Sequence, residues 1–279
     1  MAIAEVVDLL RCPRCTAGLA MADGGRSVRC PLGHSYDLAR QGQLNLLGTR
    51  APRNADTAAM VEARDRFLAG GHYRAIADQL LAAVEDLPRP RLLDVGAGTG
   101  YYLRRLLDEL PAGRGVAVDV SVAAARRAAR SGPRLGAVVA DAWQGLPLGT
   151  GSCDLVLDVF APRNPAEFHR VLSGKGRLVT VTPTPDHLTE LRGPLRLLEI
   201  QPAKQQRLQE SLDAQFTEES TVEVRRESVW DAHTLQDLVS MGPSAFHLAP
   251  AEVAALVGAL SAPVTVTVAV AVTVWTPRP

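Results

Sequence analysis

Arg91-Leu92-Leu93-Asp94-Val95-Gly96-Ala97-Gly98-Thr99-Gly100 is the stretch that decides the fold. A short apolar run, residues 92–95, enters three glycines at alternate positions, and residues 100–110 then read as a helix. Strand, glycine turn and helix in that order open a βα unit. The glycines allow a tight turn and bring backbone N–H groups close to a ligand at the helix N-terminus. A dinucleotide-binding G-x-G-x-x-G turn needs its last glycine where Tyr101 stands. Here it comes one residue early, and Asp94 precedes the turn, so the stretch departs from that fingerprint.

The pattern repeats downstream. Residues 115–120 read as a strand ending in Asp119, and residues 121–130 as a helix capped by Ser121. Residues 135–140 form a third strand, followed by Asp141, and residues 153–160 a fourth. A helix over 164–172, a strand over 176–181 and then Thr182-Pro183 complete the series. Alternating strands and helices predict a parallel sheet covered on both faces. Asp119, about 20 residues beyond the glycine turn, stands where a carboxylate accepts both hydroxyls of a ribose. Residues 184–220 are polar and Gln/Glu-rich and read as a mainly helical insertion. Residues 221–230 and 264–275 are β-rich and predict a closing antiparallel edge, with helices over about 231–240 and 250–260 between them. Upstream of the sheet, a helix capped by Asp56 or Thr57 runs to Leu68 and stops at Gly70-Gly71, and a second spans about 73–86.

The first 47 residues read differently. Cys12-Pro13-Arg14-Cys15 and Cys30-Pro31-Leu32-Gly33-His34 are two tight ligand pairs, each with a proline after its first ligand. Cys12, Cys15, Cys30 and His34 together close a tetrahedral Cys3His shell for Zn2+ and leave no open position, which makes the zinc structural. The fourth cysteine, Cys153, opens a buried strand and reads as a small hydrophobe. Formal net charge is +0, which argues against a generally basic nucleic-acid-coating surface and leaves room for a local patch. Residues 1–74 nevertheless carry ten Arg against seven acidic residues. No long apolar run predicts a membrane span, and Glu5 and Asp8 interrupt the N-terminal apolar stretch, so a cytoplasmic protein is expected.

The glycine turn resembles motif I of the class I methyltransferases, and Asp141-Ala142 stands where those enzymes contact adenine. With the cysteine pairs, the chain resembles the RrmA/RlmA family of 23S ribosomal RNA (guanine-N1)-methyltransferases over nearly its whole length. The residues that carry the resemblance begin with both knuckles and with Gln41-Gly42-Gln43-Leu44-Asn45-Leu46-Leu47. They continue with Arg64-Asp65-Arg66-Phe67-Leu68, Gly70-Gly71-His72-Tyr73 and Gly98-Thr99-Gly100-Tyr101-Tyr102. Phe160-Ala161-Pro162, Thr182-Pro183 and Asp186-His187-Leu188 complete the set.

The resemblance implies a Rossmann-like α/β fold with a mostly parallel seven-stranded sheet. It divides the chain into a zinc-binding, RNA-recognising unit at 1–47, linker and helices at 48–89, and a methyltransferase domain at 90–279 with the insertion at about 184–220. It implies S-adenosylmethionine held by Tyr73, Asp94, Gly96, Gly98, Thr99, Gly100, Asp119, Asp141 and His187. It also implies transfer to N1 of a guanine in a domain II hairpin of 23S rRNA, a homodimer, and macrolide (tylosin) resistance.

Guanine N1 carries a proton at neutral pH, and Asp158, an acid near the end of a buried strand, is the candidate base. Arg14, Arg26, Arg29, Arg50 and Arg53 are candidate phosphate contacts. Phe160 and Tyr36 are aromatic residues able to stack on a base, although core packing is the expectation for each. Two other function classes fit parts of the chain: a small-molecule methyltransferase, and a zinc RNA-binding protein without catalysis.

Overall fold

The computed structural model describes residues 2–48, 52, 55–84, 86–161, 163–198 and 210–279. Three short strands, β1 (Ala20–Ala22), β2 (Ser27–Arg29) and β3 (Ser35–Asp37), form a small antiparallel sheet near the N-terminus. Eight strands form the large sheet, in the order β10-β11-β9-β8-β5-β6-β7-β4. They are β4 (Leu44–Asn45), β5 (Arg91–Val95), β6 (Arg114–Asp119), β7 (Leu135–Val139), β8 (Cys153–Val159), β9 (Leu172–Pro183), β10 (Phe216–Trp230) and β11 (Val264–Pro277). From β9 to β4 all neighbours are parallel, and β11 and β10 close the other edge antiparallel. The sheet therefore has one strand more than expected. The extra one is β4, a two-residue piece of the N-terminal segment too short to show any periodicity.

The sheet is a layer between two unlike covers. One face carries Leu92, Ala117, Val139, Leu155, Leu157 and Val179 into a core with α1 (Ala58–Ala69), α2 (Arg74–Ala82), α3 (Tyr101–Glu109), α4 (Val122–Ala128) and the helices Ala232–Met241 and Pro250–Gly258. The valines of the alternating Val264–Trp275 run, Val266, Val268, Val270, Val272 and Val274, all point to this face. The opposite face carries Leu93, Val95, Val116, Val118, Val138 and Val156. Its cover is α5 (Pro165–Val171) and, in place of further helices, the N-terminal segment itself, through Ile3, Val6, Leu9, Leu10, Val28, Leu44 and Leu46. Gly136 on β7 makes room for it, since a Cβ there would lie 2.4 Å from Val6 Cγ2. The Asp8 carboxylate receives both terminal nitrogens of Arg114 at 2.7 Å, and Leu10 bridges to Leu148.

The helix starts follow local chemistry. Thr57 Oγ1 accepts from Met60 N at 3.3 Å and Ser121 Oγ from Ala124 N at 3.2 Å, each filling one of the orphan donors of a first turn. The polar stretch expected as a helical insertion is helical at Thr189–Arg192 and again over 210–213, while β10 begins at Phe216 and takes over residues 216–220. Residues 199–209 of that stretch lie outside the described residues, as do Arg50, Arg53 and Pro162. Among the described residues no helix is long and apolar enough to cross a membrane.

Because Val6 is fully enclosed and stiff at χ1, Gly136→Ala must displace the N-terminal segment from the sheet. A loss of about 1–3 kcal/mol of stability is expected from such overpacking. Chemical denaturation checks it, and an unchanged midpoint would show that the segment is loosely seated.

Candidate functional site

Along the large sheet the order β8-β5-β6-β7 reverses direction at β5, and the crevice at such a switch point opens above the carboxyl ends of the strands. A cleft of about 880 Å3 lies there. Four successive strand tips supply its floor. Asp141 follows β7, Asp119 ends β6, the Gly96–Gly100 turn follows β5 and Phe160 follows β8. Neighbouring strands lie about 4.8 Å apart, so these four stations span roughly 14 Å, the scale of an extended nucleoside with its acceptor beside it.

Gly96, Gly98 and Gly100 have φ of 69°, 55° and 75°, left-handed values that a side chain resists. Gly98 also faces Arg64, whose Nη1 would lie 3.2 Å from a Cβ. The turn is fastened from the second tip, because Asp119 accepts from Gly98 N through Oδ2 and from Ser121 N through Oδ1, both at 2.8 Å. Each Asp119 oxygen already serves one backbone donor, so only its second lone pairs remain for a ribose.

Asp94 is fully buried at the cleft floor, and one of its carboxylate oxygens has no hydrogen-bond partner. Burial, and then the charges of Asp119 and Asp158, push its carboxyl up to about 8. The amides of the turn are satisfied within the fold, Gly96 N and Ala97 N on Val118 O and Gly98 N on Asp119, so it is the orphaned acceptor of Asp94 that suits a ligand carrying an ammonium, and these residues fit S-adenosylmethionine.

Tyr73, Asp94, Gly96, Gly98, Asp119, Asp141 and His187 all line the cleft. Thr99 and Gly100 lie behind the turn, where Thr99 O accepts from Ser131 Oγ at 3.2 Å. His187 Nδ1 accepts from Ala269 N at 3.2 Å, which leaves the proton on Nε2, 3.4 Å from Tyr73 Oη. Burial and the nearby Arg192 charge lower His187 to about 4. Asp141 is tied to its own turn by Trp143 N at 2.9 Å and Gln144 Nε2 at 3.1 Å.

Asp158 is not brought to the cleft. It is fully enclosed, with Oδ2 accepting from Arg163 Nε at 3.2 Å and Oδ1 from Ala161 N at 3.3 Å. Burial pushes its carboxyl up to about 7 against the pull of Arg163.

The helices over the cleft bring residues that sequence patterns did not single out as ligand contacts. Arg64, paired with Asp56 and donating to Met241 O at 2.7 Å, reaches the cleft from α1, and Trp143 and Phe246 stand at its rim. The placement of Arg64 and Phe246 depends on long-range packing that no local signal marks, whereas Trp143 is carried by the Asp141 turn itself.

The ligand atoms of Cys12, Cys15, Cys30 and His34 all lie within 4.8 Å of one another. His34 Nδ1 is 3.5 Å from Cys12 Sγ and 3.4 Å from Cys30 Sγ, and Cys15 Sγ is 3.6 Å from Cys30 Sγ. A tetrahedral zinc shell with bonds of about 2.0–2.3 Å sets neighbouring ligand atoms about 3.5–3.8 Å apart, so the quartet fits the ion. Tyr36 Oη lies 3.2 Å from Cys12 Sγ. Burial opposes ionisation of that thiol, yet hydrogen bonds from Tyr36 and from the backbone of Arg14 and Cys15 bring it down to about 6. Tyr36 is thereby committed to the metal ligand rather than to a base. Cys153, pushed up to about 12 by burial, is inert.

This strand-tip cleft defines a methyltransferase, and residues 92–180 match the family model of the methyltransferase domain. Residues 10–53 match the N-terminal zinc ribbon of RlmA. A Micromonospora griseorubida protein ascribed the activity of a 23S rRNA (guanine-N1)-methyltransferase is 46% identical, covering 95% of this chain and 96% of its own. The 23S rRNA (guanine(748)-N1)-methyltransferase of Streptomyces fradiae is 42% identical over 99% of both chains. The fold is shared with the MccD protein, at a TM-score of 0.51 and 15% identity, over 75% of this chain and 99% of that one. The chain belongs to the family of 23S rRNA (guanine-N1)-methyltransferases.

Two outcomes are expected. Replacing Cys12 and Cys15 by serine should remove about one zinc per chain and destabilise the N-terminal segment, and metal analysis with thermal unfolding reads both. For His187, the unfolded chain takes up a proton below the ordinary value of 6.5 that the folded chain refuses until about 4. Its contribution is therefore complete above that ordinary value and is lost as pH falls through the window, by about 3 kcal/mol. Wild-type stability should fall more steeply there than that of His187→Gln; parallel curves would show that His187 titrates normally.

Proposed function

We propose that this protein transfers a methyl group from S-adenosylmethionine to N1 of a guanine in a domain II hairpin of 23S rRNA, and that the modification confers resistance to macrolides such as tylosin. The observation that carries the reading is the joining of two parts in one chain. A nucleoside-sized cleft opens at the strand tips, and the zinc segment is built into the reverse face of the same sheet. Relatives named for this reaction cover both parts.

Bound S-adenosylmethionine supplies a methyl group already activated on sulfur. The acceptor N1 gains the methyl group and gives up its proton to solvent, and the chain's task is to orient that nitrogen. On this reading Asp141 serves the adenine end, Asp119 the ribose, and Asp94, with the close backbone approach that the Gly96–Gly100 turn allows, the amino-acid end. Tyr73 and neutral His187 wall the methyl side, where an imidazolium would repel the sulfonium. Asp158, locked to Arg163, serves as a positioning residue rather than as the base. Arg14, Arg26 and Arg29, all exposed around the knuckles, offer phosphate contacts, although Arg29 already shares Asp23 at 3.3 Å. The same reading gives a zinc head at 1–47, connecting helices at 48–89 and a methyltransferase domain at 90–279, acting as a homodimer in the cytoplasm.

Purified protein with tritiated S-adenosylmethionine should label unmodified 23S rRNA, with a single primer-extension stop opposite one guanine. Asp94→Asn, which cannot ionise to meet the ligand's ammonium, should weaken S-adenosylmethionine binding at least about tenfold by calorimetry. Label in small molecules but not in rRNA would overturn the assignment.

A further inference from the structure

The cleft holds a strained aromatic side chain that neither the fold nor the cofactor accounts for. Phe160 follows β8 with φ of 55°, a left-handed conformation that a bulky residue avoids, and its side chain is 42% exposed. Strain of this kind persists only where surrounding structure enforces it. Three hydrogen bonds enforce it here. Phe160 N donates to Val181 O at 3.3 Å, Ala161 N donates to Asp158 Oδ1 at 3.3 Å, and Arg163 Nε donates to Asp158 Oδ2 at 3.2 Å. Both members of the Asp158–Arg163 pair are buried.

The ring they hold out is backed from inside the cleft. Tyr73 lies 5.9 Å from Phe160 between ring centroids, tilted 44°, and His187 lies 5.8 Å away, tilted 32°. Both backing rings are themselves buried. The result is a stiff aromatic face presented at the β8 tip, next to the glycine turn and on the side away from Asp119 and Asp141. The nucleoside stations use the tips of β5, β6 and β7, so this face is left for the acceptor.

We propose that Phe160 is the platform on which the acceptor purine lies flat, and that the Asp158–Arg163 pair is the positioning device that holds the ring in its left-handed conformation. The proposal rests on the methyl-transfer reading above. It adds the residue that sets the acceptor plane. A planar base extruded from a hairpin gains stacking on such a face whatever its edge, and loss of one base–aromatic stack is worth about ten- to a hundredfold. The ring makes no hydrogen bond, so it fixes the plane of the base, while the choice of nitrogen falls to the groups around it.

The test uses full-length protein and 23S rRNA. Phe160→Ala should lower kcat/KM for the RNA about ten- to a hundredfold, with the Kd for S-adenosylmethionine unchanged by calorimetry. Phe160→Tyr should stay within a few-fold of wild type. Should the alanine variant fail to fold, Phe160→Leu keeps the bulk, loses the flat face and carries the same expectation. A hairpin RNA with 2-aminopurine at the methylated position should lose fluorescence on binding wild type and keep it with Phe160→Leu. Wild-type turnover in Phe160→Leu, or a loss of cofactor affinity equal to the loss of RNA turnover, overturns the platform while leaving the methyltransferase reading intact. Wild-type protein that binds S-adenosylmethionine yet methylates no rRNA overturns both.

Discussion

Strands β5, β6, β7 and β8 are buried on both faces, and that constraint shapes the rest of the molecule. A strand enclosed on both sides has no position along its length where a polar side chain can meet a ligand. Leu92 and Leu93 enter opposite cores, as do Ala117 and Val118. Chemistry is therefore expelled to the strand ends, where Asp94, Asp119, the glycine turn, Asp141 and Phe160 stand in a row. The spacing of that row is the spacing of hydrogen-bonded strands, so the backbone ladder sets the distances within the cleft before any side chain is chosen.

The two covers divide the work differently. The helical cover on the first face also shapes the cleft, since α1 supplies Arg64 and the helix Ala232–Met241 closes over the same opening. The second cover has a short apolar core of its own and would be marginal without a staple. The Cys3His quartet supplies the staple and Tyr36 buttresses one of its sulfurs. Metal binding at the head and packing on the back of the sheet are thereby parts of one folding event.

Much of this was legible in the sequence because it is local. Short apolar runs marked the strands, Thr57 and Ser121 marked helix starts, and the Cys–Cys and Cys–His pairs marked the metal quartet by spacing alone. The cleft residues at strand ends were legible for the same reason, since each sits at a fixed offset from an apolar run. What escaped notice is non-local. β4 is two residues long and joins β7 only because the head folds back across the sheet. Arg64 reaches the cleft through helix packing. Phe160 read as a core residue, because a sequence does not display the sign of φ. Asp158 read as a candidate base, because the buried pairing with Arg163 runs around a bend in the chain. Residues 216–220 read as insertion because their polar composition hides an exposed edge strand.

β4 also changes what the N-terminal segment is. Leu44 and Asn45 run beside Val138 and Val139, and Leu46 N donates to Val139 O at 3.0 Å. The segment thus seals the open backbone margin of β7 as well as shielding Val116, Val138 and Val156 from water. Cutting it away would bare an unpaired margin and a greasy sheet at once, the combination that templates self-association. The catalytic half is in consequence no freestanding cassette: recombination could not trade this head for another without also replacing the sheet surface that receives it.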